Sequence, residues 1–292
     1  MTRANDKKGS FLRAVIRPLA FYTMAVFMAA TGCGEETVKS ETVHLSSISD
    51  VPLSDWQKLS RMKIYFGHQS VGNNIMDGIA QIMKSNNDIK LNIVKIGALP
   101  SFDEPVFAHE EIGKNEYPLT KTKAFRDRLQ NGLGDKVDVA FLKFCFWDIR
   151  SRTDIQEVFK SYKETIAELQ AQYPRVKFVY FTVPLMIHPT GFNAAIHRLL
   201  HRPVAWDQDN IKRNELNRMI REEYGGKGPL FDIAALESTL PDGRRAVFSD
   251  HGKDYYYLDP EYSNDGGHLN EEGRKRVAEQ LLIALARLSE TH

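Results

Sequence analysis

The sequence predicts an α/β protein: a three-layer αβα sandwich built on a five-stranded, mainly parallel sheet. Three observations carry that prediction. From about Trp56 onward, short apolar runs alternate with amphipathic segments, the pattern of parallel strands joined by helical crossovers. The run at 137–144, Val-Asp-Val-Ala-Phe-Leu-Lys-Phe, is nearly continuous in apolar residues, as a strand covered on both faces must be. With 292 residues, 42% of them hydrophobic and 26% charged, the chain has enough apolar side chain for one sizeable core.

The elements follow in order. Residues 63–66 (Lys-Ile-Tyr-Phe) read as the first strand, and Val71, Ile75, Ile79, Ile82 and Met83 then recur at helical spacing. Residues 91–96 form the second strand and residues 137–144 the third. Ile155, Val158, Phe159, Tyr162, Ile166 and Leu169 line one helix face. Residues 176–183 make the fourth strand, stopped by Pro184, and a helix over about 210–224 is closed by Gly225-Gly226. Residues 230–233 are the fifth strand, and Val277, Leu281, Leu285 and Leu288 mark a final helix. Ligands of such folds bind at the carboxyl ends of the strands. Two long insertions fall at that edge, 100–122 after strand two and 184–209 after strand four, and a further irregular stretch, 240–267, precedes the last helix.

The amino-terminal residues form a separate unit. Residues 1–32 carry five bases (Arg3, Lys7, Lys8, Arg13, Arg17) and one acid (Asp6), then an apolar run at 19–30, then Ala30-Thr-Gly-Cys33. A charged start, a short apolar stretch and small residues describe a secretory signal, and the run falls short of the ~20 residues of a membrane span. The ending resembles a bacterial lipobox, which implies lipidation at Cys33 and attachment to the periplasmic or outer face of a membrane. The alternative is a plain signal with a coincidental cysteine. Residues 33–54, polar and poor in aromatics, read as a flexible tether, leaving 55–292 as the domain. Acylation of Cys33 would leave Cys145 a free thiol, and burial is its expected state. The formal net charge of +1, with no basic stretch interleaved with aromatics, gives no reason to expect nucleic acid.

Two segments carry chemistry. Ser70, in Gly67-His-Gln-Ser70, stands at a strand-to-helix junction. There a hydroxyl faces the ligand edge, and the backbone N–H at a helix start can donate to a developing oxyanion. A serine there is also a common helix cap. Near the carboxyl end, Asn264-Asp-Gly-Gly-His268 places an acid and a histidine three apart in a glycine-containing turn. Asp265 can orient the imidazole while His268 takes a proton from the serine. The competing reading is a histidine beside an acidic helix start.

Together the two segments resemble the SGNH, or GDSL, hydrolase superfamily over about residues 60–288, with the order of elements that is called flavodoxin-like. The resemblance implies Ser70, Asp265 and His268 as a catalytic triad, with no cofactor and no metal. It implies an oxyanion hole made by the Ser70 N–H and by a glycine after strand two, for which Gly97 is the match. The family's third block, Gly-x-Asn-Asp, corresponds here to Cys145-Phe-Trp-Asp148: the aspartate is kept, the glycine is Cys145 and the asparagine is Trp147. Trp147 could donate through its indole N–H or plug the pocket. His68 and Asp148 are read as substrate contacts. The implied activity is hydrolysis of an acyl ester, with acylated polysaccharide of the cell envelope or the surroundings as substrate. O-acyl transfer by the same residues, or glycan or partner binding without catalysis, are the alternatives.

Other features point elsewhere. His197 and His201 stand four apart without a third ligand or an H-E-x-x-H pattern, so a basic, partly aromatic substrate loop is the better reading. His251 is a second candidate for the base. Gly225-Gly-Lys-Gly228 follows a helix and lacks the Lys-Ser/Thr ending of a phosphate loop.

Overall fold

The computed structural model describes residues 45–97, 102–200 and 202–288. Cys33, the apolar run before it and His201 lie outside the described residues. In chain order the elements are α1 (Leu53–Leu59), β1 (Lys63–His68), α2 (Val71–Ser85), β2 (Ile93–Lys95), β3 (Val106–Glu111), α3 (Pro118–Arg128), β4 (Val139–Leu142), α4 (Ile155–Gln172) and β5 (Lys177–Phe181). Then follow α5 (Phe192–Leu199), α6 (Ala205–Tyr224), β6 (Leu230–Phe231), α7 (Ile233–Glu237), β7 (Val247–Asp250), β8 (Lys253–Tyr256) and α8 (Glu271–Leu288).

The main sheet has six strands rather than five, in the order β2-β3-β1-β4-β5-β6, and every pairing in it is parallel. Alternate residues of each strand feed two separate cores. Ile64, Phe66, Phe141 and Phe181 point to the layer holding α1, α2, α7 and α8. Tyr65, Ala140, Leu142 and Tyr180 point to the layer holding α3, α4 and α6. Both faces of β1 and β4 are therefore buried, which is why the alternation in their sequences is apolar on both sides.

The sixth strand is β3, which lies in the stretch read as an insertion. Its sequence, Val-Phe-Ala-His-Glu-Glu, ends in polar residues, but all of its residues except Glu111 are buried. The Glu110 carboxylate takes the Tyr65 hydroxyl at 2.7 Å and pairs with the Arg128 guanidinium, and His109 meets His68. Partners on neighbouring elements thus make a polar strand burial-competent. The stretch at 240–267 also holds structure, an antiparallel hairpin of β7 and β8.

The described part of the stretch read as a tether, residues 45–54, is packed on the domain. From Leu45 the chain is already laid on α8: Ser46 and Gln280 exchange backbone-to-amide hydrogen bonds at 2.8 and 3.2 Å, and Arg287 donates to the Ser46 hydroxyl at 2.9 Å. Val51 is buried just before α1. No helix among the described residues is long and apolar enough to cross a membrane.

Candidate active site

Ser70 directly precedes α2, but its hydroxyl does not cap the helix. The first-turn N–H groups of Asn73 and Asn74 go to the Ser70 carbonyl, at 2.8 and 3.3 Å. The Ser70 Oγ instead lies 3.4 Å from Cys145 Sγ. The capping reading of this serine therefore fails on geometry. Gln69, the extra residue before it, spans to the neighbouring strand's exit. Its Nε2 donates to the carbonyls of Ile112 and Gly113 at 3.1 and 3.2 Å, fixing the Ser70 turn to the loop after β3.

Asp265 and His268 form the expected pair. One Asp265 oxygen accepts the N–H groups of Gly267 (3.0 Å) and His268 (2.8 Å), and the other lies 2.7 Å from His268 Nδ1. Partial burial pushes the Asp265 carboxyl up, but these two N–H groups and the imidazole outweigh it and hold the carboxyl at about 2. A carboxylate on Nδ1 sets the imidazole proton there and leaves Nε2 as the acceptor. The turn is steadied from behind, since the Ser263 hydroxyl donates to the His268 carbonyl at 2.7 Å.

The loop after β4 brings these two groups to one strand end. Cys145 touches Ser70, and the next residue, Phe146, meets the His268 ring edge-on at 5.2 Å. A Cβ on Gly267 would come within 2.7 Å of the Phe146 ring, so that glycine permits the approach. A third tie runs directly, the Leu269 N–H donating to Asn74 Oδ1 at 3.2 Å. Ser70 and His268 are not hydrogen-bonded to one another; the serine hydroxyl is turned to the thiol.

Three sequence expectations need correction. Gly97 follows β2, the outer strand, two strand spacings (about 10 Å) from β1. The strand beside β1 is β3, and the glycine at its exit is Gly113. Gly113 has φ +64°, and a Cβ there would meet Lys121 at 2.5 Å. Among the described residues its N–H has no hydrogen-bond partner. His68 is no substrate contact. It is fully buried beneath α2, where a Cβ on Gly72 would come within 2.2 Å of its ring, and its Nε2 lies 2.9 Å from His109 Nδ1. Burial, then the nearby Lys143 and His109, hold its imidazole well below the ordinary range, so it is neutral. Asp148 is also fully buried. It accepts the Cys145 N–H at 2.6 Å, the Glu116 N–H at 3.1 Å and the Lys121 ammonium, so its oxygens are spent on shaping the loop.

Trp147 is half-buried on the same loop, its ring covered by the Arg150 guanidinium at 4.4 Å and its indole N–H without a partner among the described residues. Arg213, fully buried, donates from Nε to the Phe146 carbonyl at 2.9 Å, a support that its place in a polar helix did not advertise. His251 stands exposed at the β7–β8 turn with φ +48°, and His197 bonds the Pro203 carbonyl at 3.1 Å.

No family model matches the chain, and no curated protein matches it. Solved structures do. It is similar to a GDSL-like lipase from Bacteroides thetaiotaomicron at 14% identity, over 80% of this chain and 90% of that one, with a TM-score of 0.49. A structure described as a peptidoglycan O-acetylesterase matches at 11% identity, over 82% and 95%, with a TM-score of 0.48. A family 3 carbohydrate esterase from Clostridium thermocellum matches at 14% identity, over 78% and 98%, with a TM-score of 0.43.

Proposed function

We propose that this chain is a serine esterase of the SGNH type, with Ser70 as nucleophile, His268 as base and Asp265 as its orienting carboxylate. The observation that carries the reading is the Ser70 hydroxyl. It is released from helix capping and placed at the strand end where an Asp-oriented imidazole presents its free nitrogen. For catalysis the Ser70 hydroxyl turns away from Cys145 toward His268; catalytic hydrogen bonds often form only with substrate bound.

In the reaction, Ser70 Oγ adds to the acyl carbonyl as its proton passes to His268 Nε2. The carbonyl oxygen becomes an oxyanion, held by the N–H groups of Ser70 and Gly113 and by the Trp147 indole N–H. The C–O bond to the alcohol then breaks, and His268 returns the proton to the departing oxygen. Water repeats the sequence on the acyl-serine, releasing the acid. An acylated carbohydrate suits the aromatic residues of the ligand-edge loops, Trp147 and Trp206 among them, which can lie against sugar rings.

The Ser70–Cys145 contact and the missing block-three asparagine favour the alternative of a non-catalytic glycan-binding protein, and one experiment separates the two. A fluorophosphonate probe should label the protein at Ser70, with labelling lost in Ser70→Ala and strongly reduced in His268→Ala. A chain that takes up no probe is a binding protein. We further propose export and lipid attachment at Cys33, on the strength of the sequence at 1–33 alone. Cys33→Ala should release the protein from the membrane fraction or block its maturation, and unchanged detergent partitioning would refute the anchor.

A further inference from the structure

Arg150 takes no part in the esterase chemistry, yet it stands beside it. It lies in the loop between β4 and α4, with its guanidinium 4.4 Å over the Trp147 ring. Two short paths lead from there to the base. The Trp147 ring is 5.7 Å from that of Phe146, which meets the His268 ring at 5.2 Å. On the other side Arg150 Nε donates at 2.6 Å to Asp209, about one turn along α6 from Trp206, which packs against Gly266 of the His268 turn.

The guanidinium is fixed but not spent. Asp209, buried, takes Nε with one oxygen and the Ser151 N–H, at 2.7 Å, with the other. The indole covers one face. Both terminal nitrogens of Arg150 are without a hydrogen-bond partner among the described residues, neither is sealed from solvent, and the side chain is 26% exposed. Charge is left over as well. Asp209 also faces Arg213, 3.9 Å away, so one carboxylate serves two guanidiniums. Burial lowers Arg213 only to about 10, which keeps it charged at neutral pH. Glu237, the other acid near Arg213, is pushed up by burial to about 8 and is neutral there. The acids of the adjoining segments are matched elsewhere: Glu116 by Arg152, Asp207 by Arg198 and Asp148 by Lys121.

A held, planar pair of N–H donors with one positive charge in excess matches a monoanion with two oxygens in a plane, which is a carboxylate. A phosphate would bring more charge than the cluster lacks, and a neutral sugar would leave the charge unanswered. We infer that Arg150 is a specificity-determining residue that receives the carboxylate of an acidic sugar, so that the ester taken by this site is borne by an acidic glycan. The ester half of that substrate rests on the esterase reading; the acidic half rests on Arg150.

The test measures binding by calorimetry to the full chain carrying Ser70→Ala, so that turnover plays no part. The ligands are oligosaccharides containing glucuronate or galacturonate, each set against the same oligosaccharide with its carboxyls reduced to hydroxymethyl groups. One of the two acidic forms at least should bind about ten-fold more tightly than its reduced counterpart. Arg150→Gln should abolish that difference. Arg150→Lys, which keeps a charge for Asp209 but not the planar fork, should retain the fold and lose most of it. Equal affinity for acidic and reduced forms would overturn the inference, as would the absence of binding by either acid up to millimolar concentration or a preference that survives in both variants. Inorganic phosphate that competes as well as the acidic sugar would overturn it too, by assigning the guanidinium to a phosphoryl group. Fluorophosphonate labelling of the parent chain reports on the esterase reading separately: an unlabelled chain that still prefers the acidic form loses the esterase and keeps the Arg150 site.

Discussion

Asp265 binds His268 with one oxygen and the backbone of its own turn with the other, so the acid is committed to a single orientation before any ligand arrives. Its carboxyl, held at about 2, stays ionised at any pH at which the protein would act; the stability it adds is present above the ordinary aspartate range and lost as pH falls through about 2. Trp147 carries the sharper prediction at this scale. Its indole N–H has no partner among the described residues, and its loop neighbour Cys145 touches Ser70. If it donates to the oxyanion, Trp147→Phe should lower turnover of an activated ester by about 100-fold or more with KM little changed, since removal of one such donor typically has that effect. Unchanged turnover would make the ring a wall of the pocket and nothing more.

At the scale of elements, the site depends on how three strand exits are tied together. Gln69 joins the exit of β1 to that of β3, and Asp148 joins the loop after β4 to Glu116 and Lys121 of the β3–α3 region. Gly113 is the position both ties converge on. Its φ of +64° is costly for any residue with a Cβ, and Lys121 leaves no room for one. Gly113→Ala should therefore cost about 1–3 kcal/mol in urea unfolding and lower activity beyond the loss of folded protein. Gly97→Ala, on the outer strand with open space around its Cα, should do neither. Equal effects at the two glycines would count against Gly113 as the oxyanion glycine.

For the molecule as a whole, the buried charges at the sheet's ligand edge tie stability to pH. Glu237 is fully buried at the end of α7, where its carboxylate accepts the Leu185 N–H at 2.8 Å. Burial pushes this carboxyl up to about 8, against the opposing pull of that N–H and of Lys143 and Arg213. The folded protein thus keeps a proton that the unfolded chain gives up near the ordinary glutamate value. Stability from this group is full below about 4.5 and falls as pH rises through 8. Glu237→Gln keeps an oxygen for Leu185 and removes the titration. Relative to the variant, the parent protein should lose stability steadily from pH 5 to pH 8 in thermal or urea melts. Two parallel profiles would mean that the carboxyl ionises at no cost.

Much of this was legible in the sequence, and the division has a physical basis. Strands buried on both faces and helices with one apolar face write their environment into residue type, so β1, β4, β5, α2, α4 and α8 stand out from hydrophobicity alone. The Asp265–His268 pair is legible for a similar reason: it lies within one turn, and three residues of separation suffice to set its geometry. Polar burial is not written that way. β3 was invisible because its glutamate and histidine are matched by Tyr65, Arg128 and His68, residues 41 or more positions away except for Arg128 on the next helix. Because of that one hidden strand, chain order pointed to Gly97 for the oxyanion site where the sheet puts Gly113 beside β1, since neighbours in a parallel sheet are chosen by crossovers and not by chain order. Residue identity likewise marked His68 and Asp148 as chemically able, but only packing shows that each has already spent its polar atoms inside the protein. The sequence by itself determined which segments must be buried and which residues could react; the tertiary structure decided which of those residues still have a free atom to offer.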